Sequence, residues 1–153
     1  MTIRLHRGDL PDLSRYTGAV AIDTETMGLQ PVRDRLCVVQ LSPGDGSADV
    51  VQIGHEIGPA PNLKALLADA SKTKIFHFAR FDIAILYKAL GVMAQRVART
   101  TGVAARAECA VGPRRRRAGL DVAPEILRHR LWVSAPEVRD RLRAVIVHAA
   151  GTR

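Results

Sequence analysis

The chain has 153 residues, 47% hydrophobic and 25% charged, which suits one globular domain with a real core and is short for two. No apolar stretch reaches bilayer-crossing length and no apolar run follows the start Met1–Arg7, so neither a membrane span nor a secretory signal is expected. Cys37 and Cys109 make neither a disulfide framework nor a zinc pattern, and a reducing cytoplasm is the default compartment.

The formal net charge of +8 is unevenly placed. Residues 1–95 hold 10 Lys+Arg and 10 Asp+Glu, whereas residues 96–153 hold 13 basic and 5 acidic residues. All 13 of those bases are Arg, the stretch is rich in Ala and Val, and Trp132 is its one aromatic residue. The change in composition sets a boundary near Arg96, with residues 1–95 as one unit and residues 96–153 as an atypical tail.

In chain order, Gly18–Glu25 is a short apolar run ending in acids and reads as a buried strand. Leu36–Leu41 is β-branched and compact, and reads as a second strand. The turn formers Pro43-Gly44-Asp45-Gly46-Ser47 lead into a third at Ala48–Ile53, which makes an antiparallel hairpin. Gly44 and Gly46 therefore read as turn residues, since no helix start follows them to make a phosphate cradle.

Asn62 is the candidate N-cap of a helix with Leu63, Leu66, Leu67 and Ala70 at helical spacing. Lys74–Phe78 reads as a fourth strand. A second helix is expected from about Phe81, with Asp82, Ile85, Leu86, Ala89 and Leu90 on one face and Gly91 as its stop. The order β-β-β-α-β-α is a three-stranded meander running into a βαβ crossover, an α/β mixed sheet with flanking helices. Beyond Arg96, Ser134–Glu137 resembles a capping box, and Val138, Leu142, Val145, Ile146 and Ala149 predict one C-terminal helix. Residues 97–119 show no clean period.

Asp23 and Glu25 stand two apart at the carboxyl end of a strand, so both side chains share a face at the edge where open α/β sheets bind ligands. Two carboxylates there repel each other unless a cation joins them, and a hard ion such as Mg²⁺ takes oxygen ligands. The alternative is a strand-end pair facing solvent. Asp82, after another strand and at a helix start, can approach the same edge, or can serve the helix dipole alone.

Three blocks resemble the ribonuclease D branch of the DEDD 3′–5′ exonucleases. Ala21-Ile22-Asp23-Thr24-Glu25-Thr26-Met27-Gly28-Leu29 is similar to the first exonuclease motif, Asp-x-Glu. Arg35–Ser42 is similar to the second strand. Phe76-His77-Phe78-Ala79-Arg80-Phe81-Asp82 resembles the second motif, often His-Asn-Ala-x-Phe-Asp, with Phe78 where Asn is common. The resemblance runs from about Val20 to Gln95 and implies a ribonuclease H-like fold. It also implies two-metal hydrolysis, with Mg²⁺ or Mn²⁺, at the 3′ end of RNA, more than DNA, releasing nucleoside 5′-monophosphates.

By the same resemblance Asp23, Glu25 and Asp82 are catalytic metal ligands. Met27 and Leu29 pack against the terminal nucleotide, and Gly28 lets that segment turn closely beneath it; core packing is the alternative for Met27 and Leu29. The family's third motif, Tyr-x₃-Asp or His-x₄-Asp, is missing: Arg117 and Arg116 precede Asp121, and Pro136 and Ala135 precede Asp140, at those spacings. The strand and helices that follow in the family are also not recognisable. An Arg-, Ala- and Val-rich tail is what an out-of-frame reading of a G+C-rich gene gives, so a frameshift near codon 96 is expected, with the third motif in another frame.

The chain accordingly reads as an exonuclease impaired by its missing fourth carboxylate. The alternatives are a non-catalytic nucleic-acid-binding protein using Arg114–Arg117, or a frameshifted product without function. The sequence sets no oligomeric state.

Overall fold

A computed structural model describes residues 2–100 and the pair 108–109. The elements are β1 (Thr2–Arg7), β2 (Val20–Thr26), β3 (Leu36–Ser42), β4 (Ser47–Gln52), α1 (Pro61–Ala68), β5 (Lys74–His77), α2 (Arg80–Leu90), β6 (Val97–Thr100) and β7 (Glu108–Cys109). They form a sheet in the order β1-β4-β3-β2-β5-β6-β7. β2, β3 and β4 pair antiparallel, and the crossover through α1 brings β5 back parallel to β2. This is the α/β mixed sheet, meander then βαβ, that the sequence implies.

The apolar runs decide the core. Val20 and Ile22 of β2, Val39 and Leu41 of β3, Val51 of β4 and Phe76 of β5 pack with Leu63, Leu66 and Leu67 of α1 and Ile85, Leu86 and Leu90 of α2. Both described helices thus cover one face of the sheet. Burying each such side chain contributes roughly 1.5–3 kcal/mol before entropy is counted. Among the described residues no helix is long and apolar enough to cross a membrane.

Several expectations are corrected. β1 was not foreseen; it adds to the sheet edge by parallel pairing with β4, from Thr2 opposite Ser47 to Arg7 opposite Gln52. The strand said to be missing beyond Arg96 is present as β6, because Val97–Thr100 pairs in parallel register with Lys74–His77. Asn62 does not cap α1: Pro61 takes the first helical position, and the carboxylate of Asp9 accepts from the Asn62 and Leu63 backbone N–H groups at 2.8 Å each. Ala70 lies past the helix end. α2 begins at Arg80 and stops at Gly91, whose φ of 70° is the left-handed cap expected of it. The helix expected at residues 134–149 lies outside the described residues, as do the Arg114–Arg117 run, Asp121 and Asp140.

Candidate active site

β2 carries the first two acids. Its leading residues are buried in the core, and the strand surfaces at its carboxyl end, where Asp23 and Glu25 are half-buried on one side and Thr24 is buried on the other. The pairing of β2 with β5 covers Val20 and Ala21. Beyond Ala21 the strand end faces the turn that leads into α2.

That turn brings in Asp82, buried in the first turn of α2. Its Oδ1 accepts a hydrogen bond from the Thr24 hydroxyl at 2.6 Å. The residue between the two acids of the first motif therefore fastens the acid of the second. The role of Thr24 was not foreseen, although its place in the alternating pattern pointed it toward the helices.

The electrostatics are those of acids gathered in a partly buried place. Burial, then Asp82, then Glu25 push Asp23 up to about 7, against the Thr24 backbone N–H, which acts the other way. Burial and Asp82 raise Glu25. Burial raises Asp82, opposed by its bonds from Thr24 and by His77. Among the described residues the ion pairs of Arg4, Arg15, Arg33 and Lys72 go to Asp49, Asp45, Asp34 and Asp69, not to these three.

The donors suit a hard divalent cation: all are carboxylate oxygens made harder to ionise by burial, with Asp23 and Glu25 raised further by neighbouring acids, which a bound cation reverses. The set is not closed, however. No group of three or more His, Cys, Asp or Glu among the described residues is arranged to hold a metal ion. Thr24 bonds one oxygen of Asp82 from the face of β2 opposite that of Asp23 and Glu25.

The loop after β2 carries Met27, Gly28 and Leu29. Met27 is 51% exposed and Leu29 86% exposed, so neither belongs to the core. Gly28 is required for space: a Cβ there meets Asp34 Oδ2 at 2.3 Å and its Cγ at 2.8 Å. Asp34 in turn accepts from the Gln30 backbone N–H at 3.0 Å, and Lys88 of α2 donates to the Val32 and Asp34 carbonyls at 2.8 and 3.2 Å. These contacts tie the loop to the helix that holds Asp82. Asp34 and Lys88 carried no sequence signal, since their meeting depends on the fold.

Phe78 precedes α2 with a left-handed φ of 53°, is 61% exposed, and sets its ring edge-on to His77 at 4.3 Å. Left-handed backbone is strained for a bulky residue and easier for Asn, the residue common at this place in the motif.

The chain is similar to known proteins over this part of its length. A family described as 3′–5′ exonuclease matches residues 10–120. A ribonuclease D of Granulibacter bethesdensis is 40% identical over 76 residues, which are 50% of this chain and 19% of that protein. Brucella melitensis NrnC with bound Mg²⁺ is 64% identical at a TM-score of 0.63, over 65% of this chain and 50% of that one. The same protein bound to pGG is 65% identical at a TM-score of 0.62, over 63% of this chain and 48% of that one. The match therefore spans about half the length of these solved relatives and about a fifth of the ribonuclease D. With its profile matched across the sheet and both acidic motifs, the chain belongs to the 3′–5′ exonuclease family.

Proposed function

We propose that this chain is a ribonuclease D-type exonuclease domain that acts on the 3′ end of RNA, or of DNA, and releases nucleoside 5′-monophosphates. Asp23, Glu25 and Asp82 are the residues that would hold its divalent cations, Mg²⁺ or Mn²⁺. The observation that supports this reading is the gathering of three acids near the end of β2, all held above their ordinary range by burial and Asp23 and Glu25 also by neighbouring carboxylates. Bound there, a divalent cation supplies a water acidic enough to attack at neutral pH and steadies charge on the departing oxygen. For this chain to act, Asp82 must be shared between Thr24 and the cation.

In the reaction, water adds to the phosphorus of the last phosphodiester, and the bond to the 3′ oxygen of the preceding nucleotide breaks. That oxygen leaves with a proton. Met27 and Leu29 give the terminal nucleotide an apolar surface, and Lys88 keeps their loop against α2. The NrnC relative solved with pGG makes that dinucleotide a fitting short probe.

The chain as written is a poor catalyst in this reading. The third motif is missing, so a fourth carboxylate and a group to orient the water are both lacking; misplacing a reactant by about 1 Å can cost on the order of a hundredfold. β6 carries the sheet past Arg96 to Thr100. We accordingly place the departure from the family pattern after β6, a few residues later than composition sets it.

The test is incubation of purified protein with 5′-labelled single-stranded RNA and with pGG, in Mg²⁺ and in Mn²⁺, beside Asp23→Ala. The expected result is weak metal-dependent shortening from the 3′ end that the variant loses. RNA retention without any shortening, weakening steeply as salt rises, would favour the binding-protein reading instead.

A further inference from the structure

Gln40 has neither Oε1 nor Nε2 in a hydrogen bond and is 0% exposed. It is the one buried side chain among the described residues with unpaired polar atoms. Native proteins carry few such groups, because a desolvated amide without partners is unfavourable. Gln40 lies in the middle of β3, directly opposite Asp23 on β2 and Val50 on β4. Residues opposite one another in an antiparallel pair share a face, with Cβ atoms roughly 4.5–5.5 Å apart.

Sheet packing gives no reason for an amide here. Val38 and Val50 beside it are buried and apolar, and a Leu or Met would suit them better. Ser42, next along the same face of β3, donates to the Ser47 carbonyl at 2.8 Å and accepts from the Gly44 N–H at 3.2 Å. Asp23 is the polar side chain directly across.

We propose that Gln40 is a positioning residue for the cation site: unpaired in this structure and directly opposite Asp23, it would turn its Nε2–H to the Asp23 carboxylate when a divalent cation is held there and fix the orientation in which that carboxylate meets the cation. A neutral donor suits this task. Lys or Arg at position 40 would pair with Asp23 and remove its need for a cation, and Leu would leave it unoriented. Groups that hydrogen-bond a metal ligand typically change metal affinity ten- to a hundredfold when removed. The inference rests on Asp23 being a ligand, as read above.

The test compares the full-length chain with Gln40→Met, which keeps the volume and removes both polar atoms, and with Asp23→Asn. Free Mn²⁺ is followed by electron paramagnetic resonance during titration, and the melting temperature is recorded without metal. Gln40→Met is expected to melt at the parent's temperature or higher, yet to bind Mn²⁺ about ten- to a hundredfold more weakly. Equal Mn²⁺ affinity in Gln40→Met and parent, with Asp23→Asn impaired, would overturn the role of Gln40 and leave the site reading standing. A marked fall in melting temperature for Gln40→Met would make the amide a structural element and overturn the proposal as well. No Mn²⁺ affinity in the parent would overturn the site reading and this inference with it.

Discussion

Asp49 and Asp23 sit two strands apart in the same sheet and are finished in opposite ways. Asp49, only 3% exposed on β4, has Oδ1 bonded by Arg4 at 3.1 Å and His6 at 2.8 Å, and Oδ2 by Tyr16 at 2.7 Å and Arg15 at 3.2 Å. Burial and its bond to Asp49 raise the Tyr16 phenol well above its ordinary range, so it stays a neutral donor. Asp23 has carboxylates where Asp49 has donors. A buried carboxylate ringed by donors has its charge already answered, and it ties β1 and the segment before β2 to β4. Asp23, Glu25 and Asp82 are instead raised by burial, the first two also by neighbouring acids, and a bound cation would answer their charge.

The largest effect expected from this contrast is on folding. Asp49→Ala takes the acceptor from the buried Tyr16 hydroxyl and from His6, and leaves Arg4 and Arg15 with only Ser47 and Asp45, so it should lower stability by roughly 1–3 kcal/mol in urea unfolding. Asp23→Asn removes a repulsion and should leave stability at neutral pH unchanged or higher. If the two substitutions lowered stability equally, the distinction between the two carboxylates would fail.

Next in size is a dependence on pH. Asp23 has an ordinary value of 3.8 and a folded value of about 7. Between the two, the folded chain holds a proton that the unfolded chain has lost. Without metal, the stability tied to Asp23 is therefore full below the lower value, falls as pH rises through the window, and levels off above about 7. Glu25 and Asp82 shift in the same direction and add to the fall. Unfolding curves from pH 4 to 8 should show it, and Asp23→Asn or saturating Mg²⁺ should flatten it. A metal-free parent whose stability rises over that range would contradict this account.

The smallest effect concerns the approach to Asp82. Phe78→Asn relieves a left-handed φ of 53° and should raise the melting temperature slightly, by a gain of up to about 1 kcal/mol. A loss would mean that the edge-on contact with His77 outweighs the backbone strain.

The part of the fold that was legible in the sequence is the part set by local pattern. Apolar runs marked β2 to β5, the turn at Pro43–Ser47 set the hairpin, and strand parity put Asp23 and Glu25 on one side. What escaped depends on partners far along the chain. β1 mixes polar and apolar residues and becomes a strand by lying along β4; β6 is four residues long and takes its register from β5. Asp9 caps α1 from 53 residues away. Gln40 sat unremarked in an apolar strand, since its want of a partner is visible only once burial is known. The meeting of Asp82 with Thr24 escaped because strand parity speaks for Asp23 and Glu25 alone and sets only the edge that Asp82 can approach, not the hydroxyl it meets there.

The most direct measurement of the central claim is amide line broadening by substoichiometric Mn²⁺ in the ¹⁵N-labelled full-length chain. The signals of Ile22–Thr26 and Phe81–Ile83 should broaden first and most, and those of Arg4–His6 on the edge strand β1 least. Broadening that begins around Asp49, or spreads evenly over the surface acids, would contradict a cation site built on Asp23, Glu25 and Asp82.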